Sequence, residues 1–206
     1  EAGIRLIDGM ISYFDNFMYC SSIQNETKLL ILKSLFQHGE YLTQFHGGGN
    51  WLLFECRGLY SLSMIFPEFK QASTWKNTAL QRLEGEYNTQ FLPDGWQYEL
   101  TSNYHLEATK SVYYVQDLAA LNGQNIPFVS DLSKSFEIGQ KILLPGTKIN
   151  SLNDTSWGIA NDFLYLGAKF SQSTYPQKTA GFMATASEYS SGDTSLLKKS
   201  SRDDYA

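Results

Sequence analysis

WLLFECRGLYSLSMIF, residues 51–66, carries only two charged side chains, Glu55 and Arg57. A helix that is apolar on nearly every side must be buried on nearly every side. The stretch that follows has the opposite character. Pro67 is tolerated at a helix start, and beyond it Phe69, Ala72, Trp75, Ala79, Leu80, Leu83 and Tyr87 form one helical stripe. Lys70, Lys76, Arg82, Glu84 and Glu86 take the other face. A buried helix therefore precedes an amphipathic one that lies outside.

The same alternation extends in both directions. Upstream, a first helix is expected from about Ile4 to Tyr19. Asn25 or Thr27 then caps a second, with Leu29, Leu32, Leu35, Phe36, Leu42 and Phe45 on one face, and Gly47-Gly48-Gly49 stops it. Downstream, Pro93-Asp94-Gly95 makes a turn. Thr101 or Ser102 caps a helix to about Leu121, with Tyr104, Ala108, Val112, Val115 and Ala119 in register, and Asn122-Gly123 ends it. An outer helix is expected from about Val129 to Leu143, and a last inner one from about Ser156 to Phe170. No strand pattern of useful length is present. Residues 1–170 thus form one helical unit, and the Ser/Thr-rich residues 171–206 a polar tail, either a last helix or a linker to a further domain.

Buried and amphipathic helices in alternation are what an all-α, incomplete α/α toroid of helical hairpins requires. The inner helices are expected to start near Asn50, Tyr104 and Trp157, separations of 54 and 53 residues, about one hairpin each. If the hairpins repeat around a ring, these starts share one rim. The competing arrangement is an irregular bundle with accidental spacings.

Bulk properties narrow the function. Aromatic residues make up 15% of the chain, with 13 Tyr, 13 Phe and 4 Trp, which suits both a packed core and stacking on sugar rings. A net charge of −5 and a pI near 5.2 argue against a nucleic-acid partner. An anionic ligand would have to be held by a local positive cleft rather than by the overall field. Cys56 lies in the apolar run and reads as a buried thiol; with Cys20 it forms no disulfide or zinc pattern. No apolar run is long enough to span a membrane, and no leader is visible. The opening residues, Glu1 to Ile7, already have helical periodicity without an initiating Met, as if cut from something longer. No P-loop, Gly-x-Ser-x-Gly elbow, HExxH or dinucleotide fingerprint is present, so neither a metal nor a cofactor is expected.

Three groups of residues stand on the expected rim. In His46-Gly47-Gly48-Gly49-Asn50-Trp51, with Glu55 one turn further, the glycines let backbone approach a ligand and Asn50 offers an amide at a helix start, where unpaired N–H groups favour anions. Asn50 as a plain helix cap is the simpler reading. The second group is Trp96, Glu99 and Tyr104-His105. Tyr104 lies in the first helical turn, where the dipole favours an anion, so its phenol is expected to lose a proton more readily than an ordinary one. A Tyr–His pair is acid–base equipment; alternatively Tyr104 belongs to the core and His105 to the surface. The third group is Asn153-Asp154-Thr155-Ser156-Trp157, a capping segment whose Asp154 or Trp157 is also placed to line a sugar subsite.

Residues 47–105 carry a joint pattern: Asn50-Trp51 with Glu55, Phe66-Pro67-Glu68-Phe69, Leu83-x-x-Glu86, Gln90 before Pro93-Asp94-Gly95, and Glu99 ahead of Tyr104-His105. In this the chain resembles the N-terminal catalytic domain of heparinase II/III-like polysaccharide lyases. The resemblance implies an α/α toroid followed by a β-sandwich domain of the same polypeptide, absent from this chain, and a periplasmic or secreted location. It implies β-elimination on an anionic, uronic-acid-containing polysaccharide of alginate or glycosaminoglycan type. On that reading Asn50 binds the uronate carboxylate, which lowers the cost of the enolate-like charge formed when the C5 proton leaves. Tyr104 serves as acid, base or both, and His105 supports it or touches substrate. His46, Trp51, Glu55, Trp96, Glu99 and Trp157 shape subsites. Some members of the family carry His where this chain has Trp51. A further His commonly comes from the end of the toroid or the β-sandwich, so groups that complete the site are expected beyond Ala206. The competing functions are a glycoside hydrolase using two carboxylates among Asp94, Glu99, Glu55 and Asp154, and a carbohydrate-binding domain without turnover.

Overall fold

The computed structural model describes residues 1–129, 132–156 and 158–171, with the backbone of 182–183 and 198–199. Eight α-helices are found among them: α1 Ala2–Arg5, α2 Ile11–Met18, α3 Asn25–Gln44, α4 Asn50–Ile65, α5 Ala72–Gln90, α6 Ser102–Leu121, α7 Leu132–Lys141 and α8 Asn161–Ser171. A π-helical segment, Leu6–Met10, joins α1 to α2, so the first expected helix is continuous but carries a bulge. Phe182–Met183 pairs antiparallel with Lys198–Lys199 inside the stretch read as a polar tail. The chain divides into two compact units, residues 1–89 with 114–128, and residues 90–113 with 129–206.

In the first unit α4 is the buried helix its sequence demands. Leu52, Leu53, Cys56, Gly58, Leu59, Tyr60, Leu62 and Ser63 are all buried. Burial pushes the Cys56 thiol up to about 12, which keeps it an inert apolar group. The approach of α1 to α4 is possible because two glycines face each other. A Cβ on Gly58 would lie 2.7 Å from the Gly3 carbonyl oxygen, and one on Gly3 would lie 2.6 Å from the Glu55 Cα. Helix α5 buries its expected stripe, Ala72, Trp75, Ala79, Leu83 and Tyr87. Trp75 fills the space beside Gly39 and donates its indole N–H to Glu40 Oε1 at 3.1 Å. Arg82 donates to the Leu42 and Thr43 carbonyl oxygens at 2.6 and 2.8 Å, satisfying the end of α3.

The second unit packs the first half of α6 with α7 and α8. Phe136 lies at its centre, 5.7 Å from the Tyr113 ring and 5.0 Å from the Phe163 ring. Gly139 makes room for Phe163, since a Cβ there would fall 2.4 Å from the ring. Lys110 is a largely buried charged group in this unit. Burial opposes its charge, but Asp162 and Glu107, each 2.7 Å away, outweigh that and hold its pKa above the ordinary lysine value.

Several expected boundaries move. Residues 67–71 form turns, with Phe69 N–H bonded to Phe66 O and Ala72 N–H to Phe69 O, so α5 begins at Ala72 rather than at Pro67. The helix expected over 129–143 is a 3-10 turn at Pro127–Val129 followed by the shorter α7. The last helix starts at Asn161, not Ser156, because the residues before it are used in isolated bridges, Leu144 with Lys148 and Lys148 with Ile159. The starts of α4, α6 and α8 are therefore Asn50, Ser102 and Asn161, separated by 52 and 59 residues, and the near-constant spacing read from sequence does not hold. Leu29 and Phe45, placed on the buried stripe of α3, are exposed.

Candidate functional site

The residues singled out from sequence fall in the two units, and each group has its own geometry. At the start of α4, Gly49 adopts φ 62 and ψ −146, a conformation open essentially to glycine alone, and so turns the chain from the loop into the helix. Asn50 is the first helical residue, partly exposed, and its side-chain amide has no hydrogen-bond partner among the described residues. It does not cap the helix, so the amide is open to a ligand. Trp51 is 54% exposed. Glu55 reaches back one turn, and its Oε2 accepts the Gly47 N–H at 2.8 Å. That bond fixes the glycine loop in front of Asn50 and gives Glu55 an anchoring task. His46 is exposed, and its Nδ1 donates to the Gly47 carbonyl oxygen at 2.8 Å.

The second group is built on the loop 91–101 and the start of α6. Asp94 Oδ1 accepts the Trp96 N–H at 3.0 Å, and the Leu92 N–H bonds to Trp96 O at 2.8 Å. Gly95, at φ +94, is pressed against α7, where a Cβ would meet the Lys134 carbonyl carbon at 2.5 Å. This tight turn lays the Trp96 indole parallel to the His105 ring, centroids 5.0 Å apart. His105 is fully buried. Its Nδ1 accepts the Gln97 N–H at 3.2 Å, which requires the other nitrogen to carry the proton, and Nε2 donates to Ser135 O at 2.9 Å. Burial depresses its pKa to about 4, so the ring is neutral at neutral pH. Gln97 is equally buried; its amide nitrogen donates to Gln90 Oε1 and Glu99 Oε1, and its Oε1 accepts the Glu99 N–H at 3.0 Å.

Two expectations are corrected here. The resemblance gives His105 a place in support of Tyr104 or against substrate, but the buried imidazole has both nitrogens committed inside the protein and one face covered by the partly exposed Trp96. His105 is a locking residue that ties the 91–101 loop and α7 to the start of α6. Glu99 likewise anchors its own loop through Gln97. The second correction concerns Tyr104. The helix N-terminus was expected to make its phenol more acidic. Its hydroxyl instead donates to Asp154 Oδ2 at 3.4 Å, and the Asp154 charge, with some burial and the Glu99 charge, holds the pKa above the usual phenol value. A full charge in hydrogen-bond contact outweighs the partial charges of a helix end that is open to solvent.

Asp154, Thr155 and Gln97 are the members that sequence reasoning missed in these roles. The capping character of residues 153–156 was visible, but the helix they serve lies fifty residues earlier: Thr155 Oγ1 accepts the Asn103 N–H of α6 at 3.3 Å. Trp157 lies outside the described residues. Among the described residues no cluster of three His, Cys, Asp or Glu side chains is arranged to hold a metal, and no helix is long and apolar enough to cross a membrane.

Comparison with known proteins meets this geometry at the level of family. The model for the heparinase II/III N-terminus matches residues 1–180. The chain belongs to this family. Among its relatives, a heparin-sulfate lyase of Bacteroides stercoris is 30% identical over 138 residues, 66% of this chain and 21% of that protein. One from Bacteroides thetaiotaomicron is 26% identical over 137 residues, again 66% of this chain and 19% of that protein. The chain thus spans about a fifth of the length of these relatives. A crystal structure of heparinase III superposes with a TM-score of 0.72 at 24% identity, over 82% of this chain and 27% of that one. Heparan sulfate lyase HepC from Pedobacter heparinus superposes with a TM-score of 0.63 at 20% identity, over 89% of this chain and 33% of that one. These likenesses establish the fold, a part of the all-α toroid of heparinase II/III proteins.

Proposed function

We propose that the protein containing this chain is a polysaccharide lyase that cleaves a glycosaminoglycan of the heparan sulfate type by β-elimination. The observation that carries this reading is the family match across residues 1–180, together with relatives named as heparin-sulfate lyases. Those names favour a glycosaminoglycan over alginate. The chemistry suits two of the groups described. Asn50 presents an amide without a partner among the described residues at the start of α4, suited to hydrogen-bond a uronate carboxylate and so to stabilise the charge that develops as the C5 proton departs. Tyr104 presents a partly exposed phenol that keeps its proton at neutral pH, suited to deliver a proton to the departing glycosidic oxygen. His46 and Trp51, both exposed, are proposed to line subsites. The groups that complete the site are proposed to lie in other parts of the polypeptide, and its place of action to be the periplasm or the medium.

The products decide between this reading and a hydrolase. Incubated with heparan sulfate, the intact protein is expected to release chains ending in an unsaturated uronate, seen as new ultraviolet absorbance and as a product lacking the mass of one water. Saturated products would establish hydrolysis. Turnover of alginate with none of heparan sulfate would overturn the substrate class.

A further inference from the structure

Residues 153–155 are held by more bonds than a surface loop needs. Asn153 sits at φ 56, a left-handed conformation that Asn tolerates better than most residues, and its Nδ2 donates to Leu100 O at 2.7 Å. Two residues on, Thr155 Oγ1 accepts the Asn103 N–H and donates to Leu152 O at 2.7 Å. Its backbone N–H also bonds to Asn153 O at 2.9 Å. Asp154 is therefore clamped on both sides, and the clamps grip the residues just before Tyr104. Helix capping accounts for Thr155. It does not account for Asp154, which is exposed and forms no ion pair among the described residues.

We propose that Asp154 is a positioning residue for Tyr104: the Asn153–Thr155 segment is pinned to the start of α6 so that the Asp154 carboxylate receives the phenolic O–H and holds its proton on Tyr104 until a sugar oxygen replaces it. The charged groups acting on the hydroxyl are both negative, Asp154 from this segment and Glu99 from the loop before α6, and both favour the protonated phenol. The role in turnover rests on the lyase reading. The contact itself does not.

Carbon-13 labelling at tyrosine Cζ in the intact protein reads the two separately, with the Tyr104 signal assigned by its loss in Tyr104→Phe. Tyr104 is expected to titrate above the usual phenol value. In Asp154→Asn, which removes the charge and retains an acceptor, its midpoint is expected to fall, and the alkaline limb of kcat/KM on heparan sulfate to move in the same direction. Titration of Tyr104 at or below the usual phenol value, or a midpoint unmoved by Asp154→Asn, overturns the proposal. If Asp154→Asn fails to fold, the wild-type titration decides alone. A midpoint that falls while the pH profile stays fixed keeps the contact and removes its part in turnover. A fully active Tyr104→Phe removes Tyr104 from the lyase reading while the resonance titration still reports on Asp154.

Discussion

His105 shows how a residue type associated with catalysis is put to structural use. Both ring nitrogens bond to backbone groups and the ring is stacked on Trp96, so the neutral form is built into the fold. Its pKa lies near 4 in the folded chain against 6.5 for an ordinary imidazole. Between those values the unfolded chain binds a proton that the folded chain refuses. Stability from this residue is therefore complete above about pH 6.5 and falls as pH drops toward 4, with a slope of about 1.4 kcal/mol per pH unit. Denaturant unfolding across that range should show the slope, and His105→Gln should remove its contribution; identical pH dependence in the two proteins would contradict this reading. Gly95 supports the same lock. At φ +94, with the α7 backbone 2.5 Å from any added Cβ, Gly95→Ala is expected to destabilise by roughly 2 to 4 kcal/mol, measured by the same unfolding experiment. A loss below about half a kcal/mol would show that the turn relaxes freely.

At the scale of elements, the packing of α1 on α4 depends on the facing pair Gly3 and Gly58. Because the atom a Cβ on Gly58 would strike is a backbone oxygen, the whole of α1 must shift to admit it. Gly58→Ala is expected to cost about 1 to 3 kcal/mol and to raise amide exchange in α1 before α4, readable by hydrogen exchange. Uniform exchange in both helices would mean that α1 is not the element that yields. The same helices show what was legible in the sequence. The burial of α4 and the stripe of α5 followed from composition and period, because each residue reports its own environment through its polarity. Helix starts were less legible. Pro67 is compatible with a first turn, yet Phe66 and Phe69 close a turn around it, and nothing local distinguishes the two outcomes. The bridges that delay α8 to Asn161 pair residues that share no sequence signal.

For the molecule as a whole, the fold class, the family and the places of Asn50 and Tyr104 near helix starts were legible in the chain. The inward position of His105 and the partnership of Tyr104 with Asp154 were not, because both depend on contacts between segments thirty and fifty residues apart. The chain spans about a fifth of the length of its curated relatives, so the proposed activity is to be measured on the intact polypeptide. The central claim is that Tyr104 carries the proton transfer of a β-elimination. Its most direct test is the initial rate of unsaturated-product formation from heparan sulfate by the intact protein and by Tyr104→Phe, with equal folding checked by circular dichroism. The account predicts a loss of at least about a hundredfold, the usual worth of a positioned acid–base group. A Tyr104→Phe protein that forms the product at the wild-type rate would contradict it.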